Sequence, residues 1–144
     1  MIVAFKRLHP DAIVPVHKTP GSSGADVCSV VDMVIPAGKI GLIPLGFAVS
    51  VPNGTEIQVR PRSGLALNHG ITVLNTPGTV DSDYTGEVKV ILINLGEKDF
   101  QIKKGDRVAQ LVICYVAPGT YVERENLDDT ARGSGGFGST GERN

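Results

Sequence analysis

Glycine and proline interrupt this chain so often that only short elements fit between them. There are 18 glycines and 9 prolines in 144 residues, a density of turns that belongs to an all-β fold. Within that punctuation, Glu56-Ile57-Gln58-Val59-Arg60 alternates strictly, so Ile57 and Val59 face a core while the other three face outward. Pro52-Asn53-Gly54 just before it is the clearest tight turn. Ile2 to Leu8 reads as a first strand ended by His9-Pro10-Asp11, and Lys39 to Val51, broken by Pro44 and Gly46, as two bent or bulged strands. Phe100 to Ile102 is a short strand between two turns. Arg107 to Val116 is apolar on both faces apart from Gln110, which in so small a protein points to subunits packing there.

The length suits one domain, with or without an arm. A formal net charge of −1 gives no electrostatic case for a nucleic-acid partner, although a local pair of arginines still suits a small anion. Cys28 and Cys114 are far apart without metal-ligand or CxxC spacing, and read as buried free thiols. No apolar run approaches the ~18 residues of a membrane span, and charges at Lys6 and Arg7 precede any signal-like apolar region, so the expected location is cytoplasmic, with no membrane partner.

Possible chemistry is densest between Gly78 and Gly86. Here Asp81, Ser82, Asp83 and Tyr84 stand between two glycines, ahead of an apolar strand from Glu87 to Ile93. We expect a hairpin on a rigid sheet, with Asp81 and Asp83 pointing the same way if the segment is extended, and with Gly78 and Gly86 allowing positive φ or a close approach of ligand to backbone. An ordinary Asp/Ser/Gly turn explains the nine residues equally well. Asp26, between a small-residue loop and an apolar segment, reads by itself as a turn or capping residue. In Pro61-Arg62-Ser63-Gly64-Leu65, Ser63 is placed to cap one or two helical turns, and Arg62 beside free N–H groups suits phosphate. Gln110 needs a hydrogen-bond partner, in the core or on a ligand. From Pro118 the pattern dissolves into a flexible arm with Arg132 and Phe137; its Gly133, Gly138 and Ser139 mimic part of a P-loop, but the lysine and the following helix are missing.

Five of these segments, in order, resemble the homotrimeric dUTP pyrophosphatases (dUTPases): Gly24-Ala25-Asp26-Val27, Pro61 to Ala66, Gly78 to Gly86 with Asn75 upstream, Gly105 to Leu111, and Arg132 to Gly141. The resemblance implies an all-β, jelly-roll-like β-barrel over residues 1–117 and a flexible C-terminal arm over residues 118–144. It implies a homotrimer with active sites shared between subunits, and Mg²⁺-dependent hydrolysis of dUTP to dUMP and pyrophosphate. That reaction limits uracil incorporation into DNA and supplies dUMP for dTTP synthesis.

On the same ground Asp81 activates the water that attacks the α-phosphorus and meets the ribose 3′-hydroxyl. Tyr84 packs on the deoxyribose, and Asn75 with the main chain of Gly78, Thr79 and Val80 reads the uracil edge. Arg62, Ser63, Gly64 and Gln110 hold the triphosphate, Arg132, Phe137, Gly138 and Ser139 close over it, Asp26 acts on Mg²⁺ through water, and Lys89 is a further substrate contact. Ala25 and Val27 stand where the family often has larger side chains. A dCTP deaminase shares the fold but needs a glutamate at the base, and none lies inside the loop before Glu87. A non-catalytic nucleotide-binding module would have lost Asp81, Arg62 or the arm, and a purely structural assembly would leave Asp26, Asp81 and Arg132 unexplained.

Overall fold

The computed structural model of the chain describes residues 1–141. Among these the strands are β1 (Ala4–Arg7), β2 (Ala25–Cys28), β3 (Met33–Ile35), β4 (Ile40–Pro44), β5 (Phe47–Ser50), β6 (Thr55–Arg60), β7 (Ile71–Val73), β8 (Gly78–Val80), β9 (Lys89–Asn94), β10 (Phe100–Ile102) and β11 (Arg107–Tyr115). A single helix, α1 (Ser63–His69), lies between β6 and β7. All strand pairs are antiparallel and form a four-stranded sheet ordered β2-β11-β6-β8, a three-stranded sheet ordered β4-β9-β7, and the pairs β1-β5 and β10-β3.

The all-β expectation holds, but the sheets do not close into a barrel. Closure needs an unbroken ring of hydrogen-bonded strands, and here the chain changes sheet at short corners. The corner at Gly46 is one of them: β4 pairs with β9, whereas β5, two residues later, pairs with β1. Gly46 has φ +71°, and a Cβ there would stand 2.6 Å from the Cβ of His9. Glycine is therefore the residue this corner accepts.

One core unites the sheets, with Val27, Ile35, Ile43, Phe47, Ile57, Val59, Ile71, Val80, Val90, Leu92, Ile102 and Leu111 buried together. Phe5 joins β1 to it, its ring 4.9 Å from that of Phe47. The alternation in β6 appears as read, with Ile57 and Val59 buried. Strand β11 differs: Val108, Ala109 and Leu111 are buried, but Ile113 is 39% and Tyr115 86% exposed, so its apolar far end is open on this chain.

Two local expectations are corrected. Ser63 does not cap α1; it is the first helical residue, and Arg62 is the extended N-cap with no side-chain cap bond. Nor is the segment from Gly78 to Gly86 a hairpin within one sheet. β8 bonds to β6, while β9 bonds to β4 and β7, so residues 81–88 cross from one sheet to the other. Among the described residues no helix is long and apolar enough to cross a membrane.

Asn94, fully buried at the end of β9, ties the corners together. Its Nδ2 donates to the carbonyls of Ile35 (2.9 Å) and Lys98 (2.8 Å), and its Oδ1 accepts from Gly96 N–H at 2.9 Å. Asn94→Ala should therefore cost about 2 to 4 kcal/mol, several buried partners being left unpaired at once. A lowered urea midpoint with an unchanged slope is the expected result.

Candidate functional site: a cleft and a charged clamp

The crossing segment builds a cleft. Asn75, Thr79, Val80, Asp81, Tyr84 and Lys89 line a cavity of about 370 Å³ together with Leu42, Glu87, Val88 and Ile91. The register explains much of this: Gly78 and Val80 turn inward against Val59 and Ile57, leaving Thr79 outward and Asp81 at the strand's end. A turn follows, closed by Tyr84 N–H donating to the Asp81 carbonyl at 3.1 Å. Because the segment bends here, Asp81 and Asp83 do not share a side as an extended strand would require, and only Asp81 lines the cleft.

Neither Gly78 nor Gly86 has positive φ. Their need for glycine is close approach, and by the chain's own side chains. A Cβ at Gly78 would meet the Cβ of Val59 at 3.1 Å, and one at Gly86 would lie 2.6 Å from the Tyr84 hydroxyl.

The second group sits on the opposite edge of the four-stranded sheet. Asp26 on β2 lies across from Gln110 on β11, which lies across from Arg60 on β6. Arg107 Nη1 donates to Asp26 Oδ2 at 2.9 Å, and Arg62 Nε stands 3.4 Å from Oδ1. Arg62 Nη1 also donates to the Arg107 carbonyl at 3.2 Å. The Asp26 side chain is only 14% exposed, so removing either arginine would leave a poorly solvated carboxylate. Gln110 Nε2 donates to the Pro61 carbonyl at 3.0 Å, joining β11 to the turn that carries Arg62, Ser63 and Gly64. Both Ser63 and Gly64 are exposed at the start of α1.

Sequence reasoning passed over Arg107. It lies three residues from Gln110, a spacing that strict alternation assigns to opposite faces, but an irregularity between Arg107 and Ala109 resets the register. The available signal was a cation opening an otherwise apolar strand. Cys28 is buried beside this group; burial first, and then the Asp26 carboxylate, push its thiol up, so it is a protonated free thiol rather than a nucleophile.

The described part of the arm joins neither group. After Val116, whose N–H donates to the Gly54 carbonyl, backbone bonds among the described residues are local turns within residues 130–141. Arg132 Nε donates to the Gly135 carbonyl, and Phe137 is fully exposed. Residues 142–144, the end of the expected arm, lie outside the described residues. Among the described residues no group of three His, Cys, Asp or Glu side chains is disposed to hold a metal ion. The donor set around Asp26 therefore fits only an ion that brings most of its oxygen ligands with it.

The family model described as dUTPase matches residues 11–141. The chain belongs to the dUTPase family. A deoxyuridine 5′-triphosphate nucleotidohydrolase of Wolinella succinogenes is 54% identical over 98% of this chain and 95% of its own length. One of Helicobacter pylori is 52% identical over 98% of this chain and 97% of its own. Among solved structures, a Staphylococcus bacteriophage 80alpha dUTPase mutant with dUpNHpp superposes with a TM-score of 0.90 at 23% identity, covering 98% of this chain and 99% of that one. A mutant dUTPase from phage phi11 of S. aureus, described for its coordination of a structural Mg(II) ion, gives a TM-score of 0.80 at 20% identity over 90% of this chain and 100% of that one. At those identities the two phage proteins establish the fold, which is the all-β dUTPase jelly roll.

Gly24 tests the clamp, because a Cβ there would stand 2.2 Å from Gln110 Oε1. The nearest obstacle is the Gln110 amide, which can swing away at the expense of its bond to Pro61, while the Gln110 Cβ, 3.0 Å away, must give by a few tenths of an ångström. Gly24→Ala should keep the fold and cost about 1 kcal/mol, the scale of the Gln110–Pro61 bond, read as a lowered urea midpoint with an unchanged slope.

Proposed function

We propose that this chain hydrolyses dUTP to dUMP and pyrophosphate, removing dUTP from the precursors of DNA and supplying dUMP for dTTP synthesis. The observation that carries this reading is the single cleft in which Asn75, Thr79, Val80, Asp81, Tyr84 and Lys89 meet in a chain of this family. The Asp81 carboxylate takes a proton from a water as that water's oxygen bonds to the α-phosphorus. The bond from the α-phosphorus to the pyrophosphate oxygen then breaks.

Asn75 and the main chain of Gly78, Thr79 and Val80 offer the uracil edge matched hydrogen bonds, which cytosine leaves unpaired. The Tyr84 ring takes the deoxyribose. Lys89, at the cleft wall, is a further contact for the nucleotide. Arg62, Ser63, Gly64 and Gln110 form the triphosphate clamp, and Arg132 with Phe137, Gly138 and Ser139 forms a lid that excludes water and strengthens the charge interactions beneath it. Mg²⁺ would neutralise phosphate charge, held chiefly by phosphate oxygens and, through water, by Asp26.

The working enzyme in this reading is a homotrimer with shared sites. Cleft and clamp lie on opposite edges of one sheet with two strands between them, which at the usual strand spacing is about 14 Å. Ile40 and Leu42 on β4 and Ile113 and Tyr115 on β11 are exposed apolar side chains suited to a subunit contact. The body is residues 1–117 and the arm residues 118–144, its location the cytoplasm, and its partner dUTP rather than a nucleic acid.

Pyrophosphate release should be seen with dUTP and not with dCTP, UTP or dTTP, and should be lost in chelator; uracil product from dCTP would instead identify a deaminase. Asp81→Asn should lower turnover by about 10² to 10⁴-fold while keeping nucleotide affinity, and survival of turnover refutes its role. Truncation before Arg132 should cut the rate strongly with the trimer's mass unchanged by light scattering; an unaltered rate rules out the lid.

A further inference from the structure

Glu87 lines the same cleft as Asp81, yet a carboxylate beside a polyanionic nucleotide is electrostatically unfavourable unless its charge is used elsewhere. Both of its oxygens are so used. Oε1 accepts the Gly46 N–H at 3.1 Å, and Oε2 faces Lys89 Nζ at 3.4 Å. The charge is thus committed to the protein and does not serve as a second base.

What Glu87 holds follows from its main chain. The Tyr84 hydroxyl donates to the Glu87 carbonyl at 2.9 Å, and the ring lies on Gly86 so closely that an added Cβ would touch its Cζ at 2.7 Å. Tyr84 is 46% exposed, so this tether and the Gly86 backbone set the height of its ring. Beyond the tether, Val88 N–H donates to the Phe47 carbonyl at 2.9 Å, and the Glu87 carboxylate bonds the neighbouring Gly46. Gly46 in turn accepts from the N–H groups of Leu8 and His9. The platform under Tyr84 therefore rests on a corner that sterics hold in place.

We infer that Glu87 is a specificity-positioning residue: by fastening the end of the crossing segment to the Gly46 corner, it sets how much room the Tyr84 ring leaves beside the sugar, and so the rejection of ribonucleotides. The inference rests on the reading of Tyr84 as the deoxyribose contact. Without the carboxylate, the Gly46 N–H loses its partner and the platform can drift, opening space for a 2′-hydroxyl while Asp81, at the other end of the turn, keeps its place at the end of β8.

The test compares kcat/KM for dUTP and UTP in the full-length enzyme and in Glu87→Ala, Glu87→Gln, Tyr84→Phe and Tyr84→Ala. Glu87→Ala should raise the UTP to dUTP ratio by about tenfold, the scale of a modest change in pocket shape, with kcat for dUTP held within about threefold. Glu87→Gln keeps an acceptor for Gly46 N–H and should restore most of the discrimination. Tyr84→Phe, which removes only the hydroxyl tether, should also raise the ratio, and the Glu87→Ala/Tyr84→Ala double variant should add nothing to Tyr84→Ala alone. Release of Lys89 affects both nucleotides alike and cancels in the ratio. If Tyr84→Ala raises the ratio and Glu87→Ala and Tyr84→Phe do not, the inference fails and the reading of Tyr84 stands; if Tyr84→Ala leaves it unchanged, that reading itself fails. An equal loss for both nucleotides in Glu87→Ala would reduce Glu87 to a structural residue and overturn the proposal.

Discussion

Strand β6 is hydrogen-bonded along both edges, and what those edges hold decides where chemistry can occur in this fold. On one side it pairs with β11 from Arg60 opposite Gln110 to Thr55 opposite Tyr115. On the other it carries β8, with Gln58 opposite Thr79. Its end runs directly into Pro61 and Arg62. Backbone pairing in the middle of the sheet thereby fixes both the clamp and the near wall of the cleft, while the side chains that make them remain outward. The stiffness of paired strands suits a site whose donors must stay aimed without reorganising.

The two groups have contrasting electrostatics. Asp26 is held between Arg62 and Arg107, so the clamp contains two cations and one carboxylate, an excess of positive charge suited to phosphate. The cleft holds Asp81 and Glu87 against Lys89, and among the described residues the Glu87–Lys89 pair leaves Asp81 as the carboxylate of the cleft without a salt bridge.

Much of this was legible because local pattern and tertiary structure agree. The alternation of β6, the Pro52-Asn53-Gly54 turn and the limits of β10 each follow from a few neighbouring residues. The gathering of Asn75, Thr79, Asp81 and Tyr84 was legible from the motif they form. What was not legible depends on distant partners. The failure of the sheets to close and the passage of residues 81–88 between sheets turn on which strands meet, and no short window encodes that. Arg107 was hidden by a register shift that breaks the alternation used to find faces. Ser63 entered the helix instead of capping it because Arg62, drawn toward Asp26 and the Arg107 carbonyl, occupies the extended position before it. Glu87 meets Gly46 across 41 residues, and its sequence neighbourhood reads as the plain start of a strand.

Among the described residues the arm's last backbone bond to the body is Val116 to Gly54, and the chain beyond it is a tether. Arg132 lies about 16 residues further on, and a flexible chain of that length has a root-mean-square reach of roughly 20 to 24 Å. Within that radius a tethered group is present at millimolar effective concentration, so any contact it makes there is an intramolecular event that needs little affinity of its own. Lengthening the tether would dilute such a group only slowly, whereas a tether too short to span the gap would lose the contact altogether. The composition of residues 118–131 then matters chiefly as length and stiffness, a kinetic quantity set by chain statistics rather than by any contact those residues make.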